Sequence, residues 1–269
     1  MLVIGENINA SNKSVGQAIG NKDREFLANL AKAQEDAGAD FIDVNAGVGL
    51  GAWDTAEAAM GWLIDLVQEA TAKPLTIDSD VPSVIEAALG KYRGDTVMIN
   101  SVSADPEKLE TVGRMASERQ ASLVALVMGE GGIPSTVEER VAASDSIMTH
   151  LTHIGVREDQ IYFDPLVLPI AVDTNQGLVT LKTIEEIKSR YPSAKTVMGL
   201  SNISYGLPNR AMVNRAFLLM SVAVGLDAAI LNPLDAKMMS IVRVAEMLTG
   251  KDPACKGFIK AHRKGVLVD

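Results

Sequence analysis

Acidic and amide side chains follow a series of short apolar stretches, and these are the residues whose types and spacing could do chemistry. They are Glu6, Asn9, Asp43, Asn45, Asp78, Asn100, Asp164, Asn202 and Asp235. A carboxylate can accept two parallel hydrogen bonds from an amino group and a neighbouring ring N–H, and an amide can donate and accept at once. Brought together, such side chains would suit a flat, nitrogen-rich heterocycle such as a 2-amino-4-oxopterin.

Taken singly, each of these residues has a plainer interpretation. A lone Asp or Asn after a strand is usually a helix cap or a turn residue, and Asp43, Asn100 and Asp164 stand where such roles are common. Several of them on one rim would favour a binding site over a set of separate caps.

Eight stretches rich in apolar or β-branched residues have strand character, and segments with helical spacing of apolar residues separate them. They cover residues 2–4, 41–44, 75–77, 97–99, 123–126, 161–163, 196–198 and 228–231. Strands alternating with helices imply parallel pairing. Eight units in 269 residues favour an α/β fold, a single-domain (β/α)8 TIM barrel over 1–269, with a doubly wound open sheet as the alternative. A barrel would gather the acids and amides at the carboxyl-end rim of its strands.

Other chemistries lack the residues they need at the strand ends. A Schiff-base enzyme needs a lysine there, but Lys195 precedes its strand and Lys182 falls within a helical segment. The histidines lie in or near helical patterns, which disfavours a barrel-type zinc hydrolase and a Ser-His-Asp arrangement; they are His150, His153 and His262. Because Cys255 is the single cysteine, no internal disulfide or cysteine metal site can form. We expect no tightly bound metal.

Charge and composition exclude further classes. A net charge of -9 argues against a nucleic-acid partner, whose phosphates need Lys and Arg patches. Apolar runs are interrupted before they reach the ~20 residues of a membrane span, and the opening segment lacks the basic flank of a signal peptide. With one cysteine, a cytoplasmic protein that contacts neither nucleic acid nor membrane is expected. The methionines at helical spacing are expected in the core or at a subunit interface; they include Met212, Met220, Met238 and Met239.

The order and spacing of the motifs resemble the methyltetrahydrofolate:corrinoid protein methyltransferases over nearly the whole chain. The matching segments are 2–9, 42–45, 76–79, 98–101, 162–166, 195–202, 209–210, 214–215 and 225–229. Each motif alone is weak, whereas their order and spacing together are specific. The resemblance implies a pterin-binding barrel, a tetrahydrofolate or methyltetrahydrofolate substrate and a homodimer.

The resemblance also assigns roles to single residues. Asp78, Asn100 and Asp164 would hold the pterin ring, and Gly199 and Ser201 would shape the floor beside it. Asn202 would lie near N5, the nitrogen that bears the methyl group, and would be the catalytic residue that activates it by hydrogen bonding. Arg210 would sit at the mouth. The additional rim candidates are Glu6, Asn9, Asp43, Asn45 and Asp235.

The corrinoid is expected on a partner protein. Cobalamin-carrying modules resemble one another in an Asp-x-His-x-x-Gly motif, and none of the histidines here has an Asp two places before it. The partner would be a corrinoid iron–sulfur protein of acetyl-CoA synthesis or the corrinoid component of an O-demethylase.

Three rival interpretations stay open. A dihydropteroate-synthase-like pterin enzyme would carry Ser-Arg-Lys-type residues after the seventh strand, but no Arg or Lys follows Ser201 here. A barrel lyase or isomerase would need a base such as Glu6 or Asp43. The third rival is a non-catalytic folate-binding subunit of a larger complex.

Overall fold

The eight predicted strands all form, and the computed structural model, which describes residues 1–47, 53–129 and 131–268, closes them into a barrel. The strands pair in chain order, all parallel, and β1 pairs with β8. They are β1 (Leu2–Asn9), β2 (Phe41–Asn45), β3 (Leu75–Asp78), β4 (Val97–Val102), β5 (Ser122–Leu126), β6 (Ile161–Asp164), β7 (Lys195–Gly199) and β8 (Ala228–Leu231). The (β/α)8 barrel is confirmed and the open sheet is excluded. The predicted domain extends to Asp269, which lies outside the described residues.

Helices follow the strands and form the outer layer. They are α1 (Lys13–Gly20), α2 (Arg24–Asp36), α3 (Ala56–Ala70), α4 (Pro82–Lys91), α5 (Pro106–Arg119), α6 (Val137–His153), α7 (Gln176–Arg190), α8 (Arg210–Ala223), α9 (Ala236–Leu248) and α10 (Lys256–Arg263). Side-chain caps start several of them: Thr136 and Glu139 form a capping box at α6. Gly38 follows α2 with φ 99°, a conformation that favours glycine.

The helices bury their apolar faces against the outside of the barrel, which forms a large core cluster. None of the helices in the described part of the chain combines the length and the apolar character that a membrane-crossing helix needs. Of the methionines predicted for core or interface, Met238 is buried, whereas Met212 and Met220 are exposed.

The barrel interior is closed by one layer of apolar side chains. The members of this interior plug come from seven strands and are nearly or fully buried: Ile4, Phe41, Met98, Val124, Tyr162, Val197 and Ala228. Because side chains alternate across a strand, the residue two positions further along also points inward. One step above the plug therefore lies the next inward layer, at the carboxyl ends of the strands.

Candidate functional site

The second inward layer is mainly polar, and it contains half of the predicted site residues. Moving two residues on from the plug gives Glu6, Asp43, Asn100 and Asp164, together with the non-polar Leu126, Gly199 and Ile230. Asp78 joins them on β3, where it is the register partner of Asn100 on β4. The alternation of a buried apolar layer with a polar one turns the strand ends into a binding rim.

An irregularity in β1 places Glu6 over the barrel mouth. The register of β1 against β2 shifts between Gly5 and Ile8. Gln34 of α2, fully buried, fills the space beside this irregularity, and its Oε1 accepts a hydrogen bond from the Asn7 backbone N–H at 3.0 Å. A Cβ on Gly5 would collide with the same Oε1 atom. We therefore infer that the close approach of the Gln34 side chain to the backbone favours glycine at position 5.

A cavity of about 520 Å³ opens at this rim, within the range typical of small-molecule sites. Its lining brings together Glu6, Asn9, Asp43, Asp78, Asn100, Ser201 and Arg210, all predicted, with Asn7, Ser11, Asn12, Ile230 and Asn232. Asn45 lies behind the wall and donates from Nδ2 to Asp78 Oδ2 at 2.9 Å. As lined by the described residues, the cavity does not include Asp164, Gly199 or Asn202.

Asp43 and Asp78 form a carboxyl pair at the floor of the cavity. Asp43 is 2% exposed, and its Oδ1 is buried without a hydrogen-bond partner among the described residues. Burial, and then the charge of Asp78, raises the pKa of Asp43 well above its ordinary value; burial also raises the pKa of Asp78. Two adjacent carboxyls cannot both ionise at low cost. The two raised pKa values therefore favour one proton shared by the pair.

Asp164 ends β6 on another part of the same rim. Its Oδ1 accepts from the Leu166 backbone N–H at 2.8 Å. Burial raises its pKa to about 6, against the lowering effects of that hydrogen bond, the Arg140 charge and a backbone hydrogen bond from Gly199. At neutral pH the carboxyl is thus mostly ionised and can accept further hydrogen bonds.

A short 3-10 helix, Leu200–Ser204, carries the residues that follow β7. Arg210, the first residue of α8, reaches back to it: Nη2 donates to the Ser201 carbonyl at 2.7 Å and Nε donates to Ser204 Oγ at 3.0 Å. Burial raises the pKa of Glu6 to about 7, and the positive charge of Arg210 lowers it. The cavity wall therefore pairs a cation with an acid that titrates near neutral pH.

Asn202 lies on the same 3-10 helix but is exposed. Its Nδ2 atom is 3.7 Å from the position that a Cβ on Gly199 would occupy. The amide therefore covers the face of Gly199, beside the cavity rather than in its wall.

A smaller cavity of about 310 Å³ adjoins the first and shares Glu6, Ser201, Arg210 and Asn232 with it. Asp235 belongs to this smaller space. It accepts from Arg215 Nη2 with both oxygens, at 2.9 and 2.8 Å, and caps α9. Asp235 thus also serves the helix-cap role common after strands.

Sequence reasoning missed several residues of the site. Ser11 and Asn12 line the cavity because an additional short helix, α1, begins directly after β1, with Asn12 as its cap. An Asx-type cap before Lys13 is the signal that could have revealed it. Asn214 lines the smaller cavity from α8. Within the described residues, no group of three or more His, Cys, Asp or Glu side chains is arranged to hold a metal ion.

The chain is similar to one protein family over most of its length and to one known enzyme nearly end to end. The family model described as "Pterin binding enzyme" matches residues 5–232. A methylcorrinoid:tetrahydrofolate methyltransferase of Eubacterium limosum is 34% identical over 269 residues, which cover 98% of this chain and 97% of that protein.

The chain is also similar to part of two methionine synthases and, in fold, to a dihydropteroate synthase. The methionine synthases of Mycobacterium tuberculosis and Mycobacterium leprae are 30% and 32% identical, over 91% of this chain but 21% of theirs. The chain thus spans about a fifth of their length. A solved dihydropteroate synthase of Coxiella burnetii, in complex with pteroic acid, superposes with a TM-score of 0.70 over 93% of this chain and 94% of that one. At 16% identity that likeness shows the fold alone.

The extent of the family match and of the Eubacterium match shows that the chain belongs to the pterin-binding enzymes and, within them, to the methyltetrahydrofolate:corrinoid methyltransferase family.

Proposed function

We propose that this chain transfers a methyl group between N5 of a reduced folate and the cobalt of a corrinoid carried by a separate protein. The observation that carries the proposal is the rim of acids and amides around the 520 Å³ cavity. The methylcorrinoid:tetrahydrofolate methyltransferase of Eubacterium limosum, which matches the chain nearly end to end, supports it. A displacement at the methyl carbon is reversible, so the proposal covers both directions.

The pterin ring is proposed to lie against Asp78, Asn100 and Asp164. Asp78 and Asn100 are partners on neighbouring strands and both line the cavity, so a carboxylate and an amide reach one side of a flat ligand together. An ionised Asp78 or Asp164 can accept from the amino group and ring N–H of a pterin, while Asn100 matches its lactam edge. Gly199 and Ser201 would shape the surface beside the pterin ring, and Arg210 would stand at the mouth.

N5 activation is proposed to come from Asn202. The corrinoid supplies the group that exchanges the methyl with the folate. The N5 amine leaves poorly unless a hydrogen bond to it strengthens as the C–N bond breaks, so the enzyme needs a donor aimed at that nitrogen. Asn202 can donate without ever holding a charge. Its exposed position over Gly199 supports a side chain that meets the ligand as it binds.

The partners in this proposal are a corrinoid protein and a second copy of the chain. The corrinoid protein is an iron–sulfur type or an O-demethylase component, and the reaction takes place in the cytoplasm. An apolar groove of about 430 Å³ between α7 and α8 supports the homodimer. Three of its lining side chains are unusually exposed for their type: Leu178 at 56%, Met212 at 68% and Met220 at 49%.

An anaerobic assay tests the reaction directly. Purified protein is mixed with chemically reduced cob(I)alamin and methyltetrahydrofolate, and the corrinoid spectrum is followed. We expect conversion of the Co(I) spectrum to that of methyl-Co(III), dependent on the protein and on both substrates. Folate binding measured separately by calorimetry, with no conversion even on a purified corrinoid protein, would favour a non-catalytic folate-binding subunit.

A further inference from the structure

Arg140, in the second turn of α6, is completely buried, a rare state for an arginine. Its Nε donates to the Pro134 carbonyl at 3.1 Å, and its Nη2 donates to Gln176 Oε1 at 2.8 Å. Its Nη1 donates to the carbonyls of Pro165 and Leu166 at 2.9 and 2.8 Å. All of these acceptors are neutral, so the buried charge has no carboxylate as a direct hydrogen-bond partner among the described residues.

The carbonyls that Arg140 holds belong to the turn that follows Asp164. Leu166 adopts φ 65°, a left-handed conformation that is unfavourable for a branched side chain. Its carbonyl accepts from Arg140 and also from Thr180 Oγ1 at 3.0 Å, and its N–H donates to Asp164 Oδ1. Arg140 therefore fixes both carbonyls of the turn whose N–H orients the Asp164 carboxylate.

The positive charge of Arg140 also lowers the pKa of Asp164, against the larger raising effect of burial. Among the described residues, the other groups that stabilise the ionised form of Asp164 are the backbone N–H groups of Leu166 and Gly199. The influence is mutual: burial lowers the pKa of Arg140, and the Asp164 charge raises it. A buried cation and a half-buried carboxylate are thus coupled through one turn.

We infer that Arg140 is a positioning residue, which aims the Asp164 carboxylate at the substrate ring through the turn that it holds. Its charge also favours the ionised form of that carboxyl. The inference rests on the proposed function, in which Asp164 accepts hydrogen bonds from a pterin. It assigns the β6–α7 turn and the start of α6, which lie outside the cavity lining, to substrate recognition.

The test is the pH dependence of tetrahydrofolate binding, measured by calorimetry on the wild type, Arg140→Met and Arg140→Lys. Wild-type affinity should fall as the pH drops through about 6, where Asp164 takes up a proton, below the range near 7 in which Glu6 of the cavity wall titrates. Arg140→Met should move this acid limb upward by about one pH unit, because the charge that favours the carboxylate is gone. Arg140→Lys should keep the midpoint, since the charge remains, but bind more weakly at every pH because lysine lacks the planar fork.

A matched control is Arg93→Met, which removes an exposed arginine that pairs with carboxylates on the surface; its binding curve should match that of the wild type. An unmoved midpoint in folded Arg140→Met would overturn the inference. If Arg140→Met does not fold, the test rests on Arg140→Lys. An Arg140→Lys variant that binds tetrahydrofolate as tightly as the wild type does at pH values above the midpoint would overturn the inference. A wild-type protein that binds no tetrahydrofolate contradicts the proposed function instead.

Discussion

At the scale of single residues, the site separates the group proposed for chemistry from the groups proposed for binding. Asp78 and Asn100 are held in the cavity wall by neighbouring strands, whereas Asn202 is exposed on a 3-10 helix. A donor needed only as the C–N bond breaks need not contribute to folate affinity. The two roles can therefore be separated by mutation.

Asn202→Ala should lower the rate of methyl transfer by ~10²–10³, the usual loss for one aimed donor, while the Kd for methyltetrahydrofolate stays nearly unchanged. Single-turnover rates and calorimetry measure the two effects. Asn175→Ala is a suitable control, because Asn175 is exposed and makes no side-chain cap hydrogen bond at α7. Equal losses in rate and affinity would leave Asn202 as a binding residue only.

The proton held between Asp43 and Asp78 makes a prediction about stability. The folded-state pKa of Asp43 is raised, so the folded chain binds a proton that the unfolded chain has lost above pH ~4. This contribution is therefore present at low pH and is lost as the pH rises through the folded pKa. Asp43→Asn replaces the carboxyl group with an amide, which can still donate a hydrogen bond to Asp78 but does not titrate. The Tm of Asp43→Asn should exceed that of the wild type by more at pH 8 than at pH 4. Each kcal/mol added to the free energy of unfolding should raise Tm by about 2–4 °C.

Thermal unfolding of both proteins across pH measures this difference. Asp95→Asn, which changes an exposed carboxylate, is the control and should show no such trend. A Tm difference for Asp43→Asn that is the same at both pH values would show that Asp43 is ionised in the folded protein.

At the scale of elements, the irregularity of β1 determines where Glu6 stands. Gly5→Ala should destabilise the fold by about 1–3 kcal/mol and weaken folate binding, because the added Cβ meets the buried Gln34 side chain that holds the Asn7 N–H. Gly90→Ala in α4 is the control, since nothing lies within 4 Å of its added Cβ; it should stabilise by roughly 0.5–1 kcal/mol. Denaturant unfolding gives both values, and a neutral Gly5→Ala would contradict the close approach.

The secondary-structure elements could be predicted from the sequence better than the contacts of single side chains. Strands are short runs with a simple apolar pattern, so all eight could be predicted, and the position of Asp78 and Asn100 at the carboxyl ends of their strands then predicted that they share one rim. Arg140 could not be found in this way, because a charged residue in an amphipathic helix is normally read as exposed. Its burial depends on carbonyls from a turn that is distant in sequence. The raised pKa of Asp43 likewise depends on its burial in the folded chain and on a neighbour from another strand, Asp78.

At the scale of the whole molecule, the apolar α7–α8 groove exposes large apolar side chains that a second copy of the chain would cover. If it joins two copies, Leu178→Lys with Met212→Lys should convert a dimer to a monomer, because two buried charges without partners would be costly. Sedimentation velocity measures the change. Leu248→Lys, on a side chain that is 70% exposed on α9, should leave the dimer intact. A wild-type chain that sediments as a monomer would refute the homodimer.

The interior plug has a consequence for the kinetics of the proposed reaction. Ile4, Met98, Val197 and Ala228 belong to a layer of buried side chains across the barrel interior, and the cavity opens on the other side of it, at the carboxyl ends of the strands. A folate in that cavity and a corrinoid protein must therefore use the same mouth. The folate then has to enter first and, after the methyl has moved, leave last. Initial-rate measurements should accordingly give a compulsory-order pattern, with excess corrinoid protein inhibiting by occupying the mouth before the folate arrives.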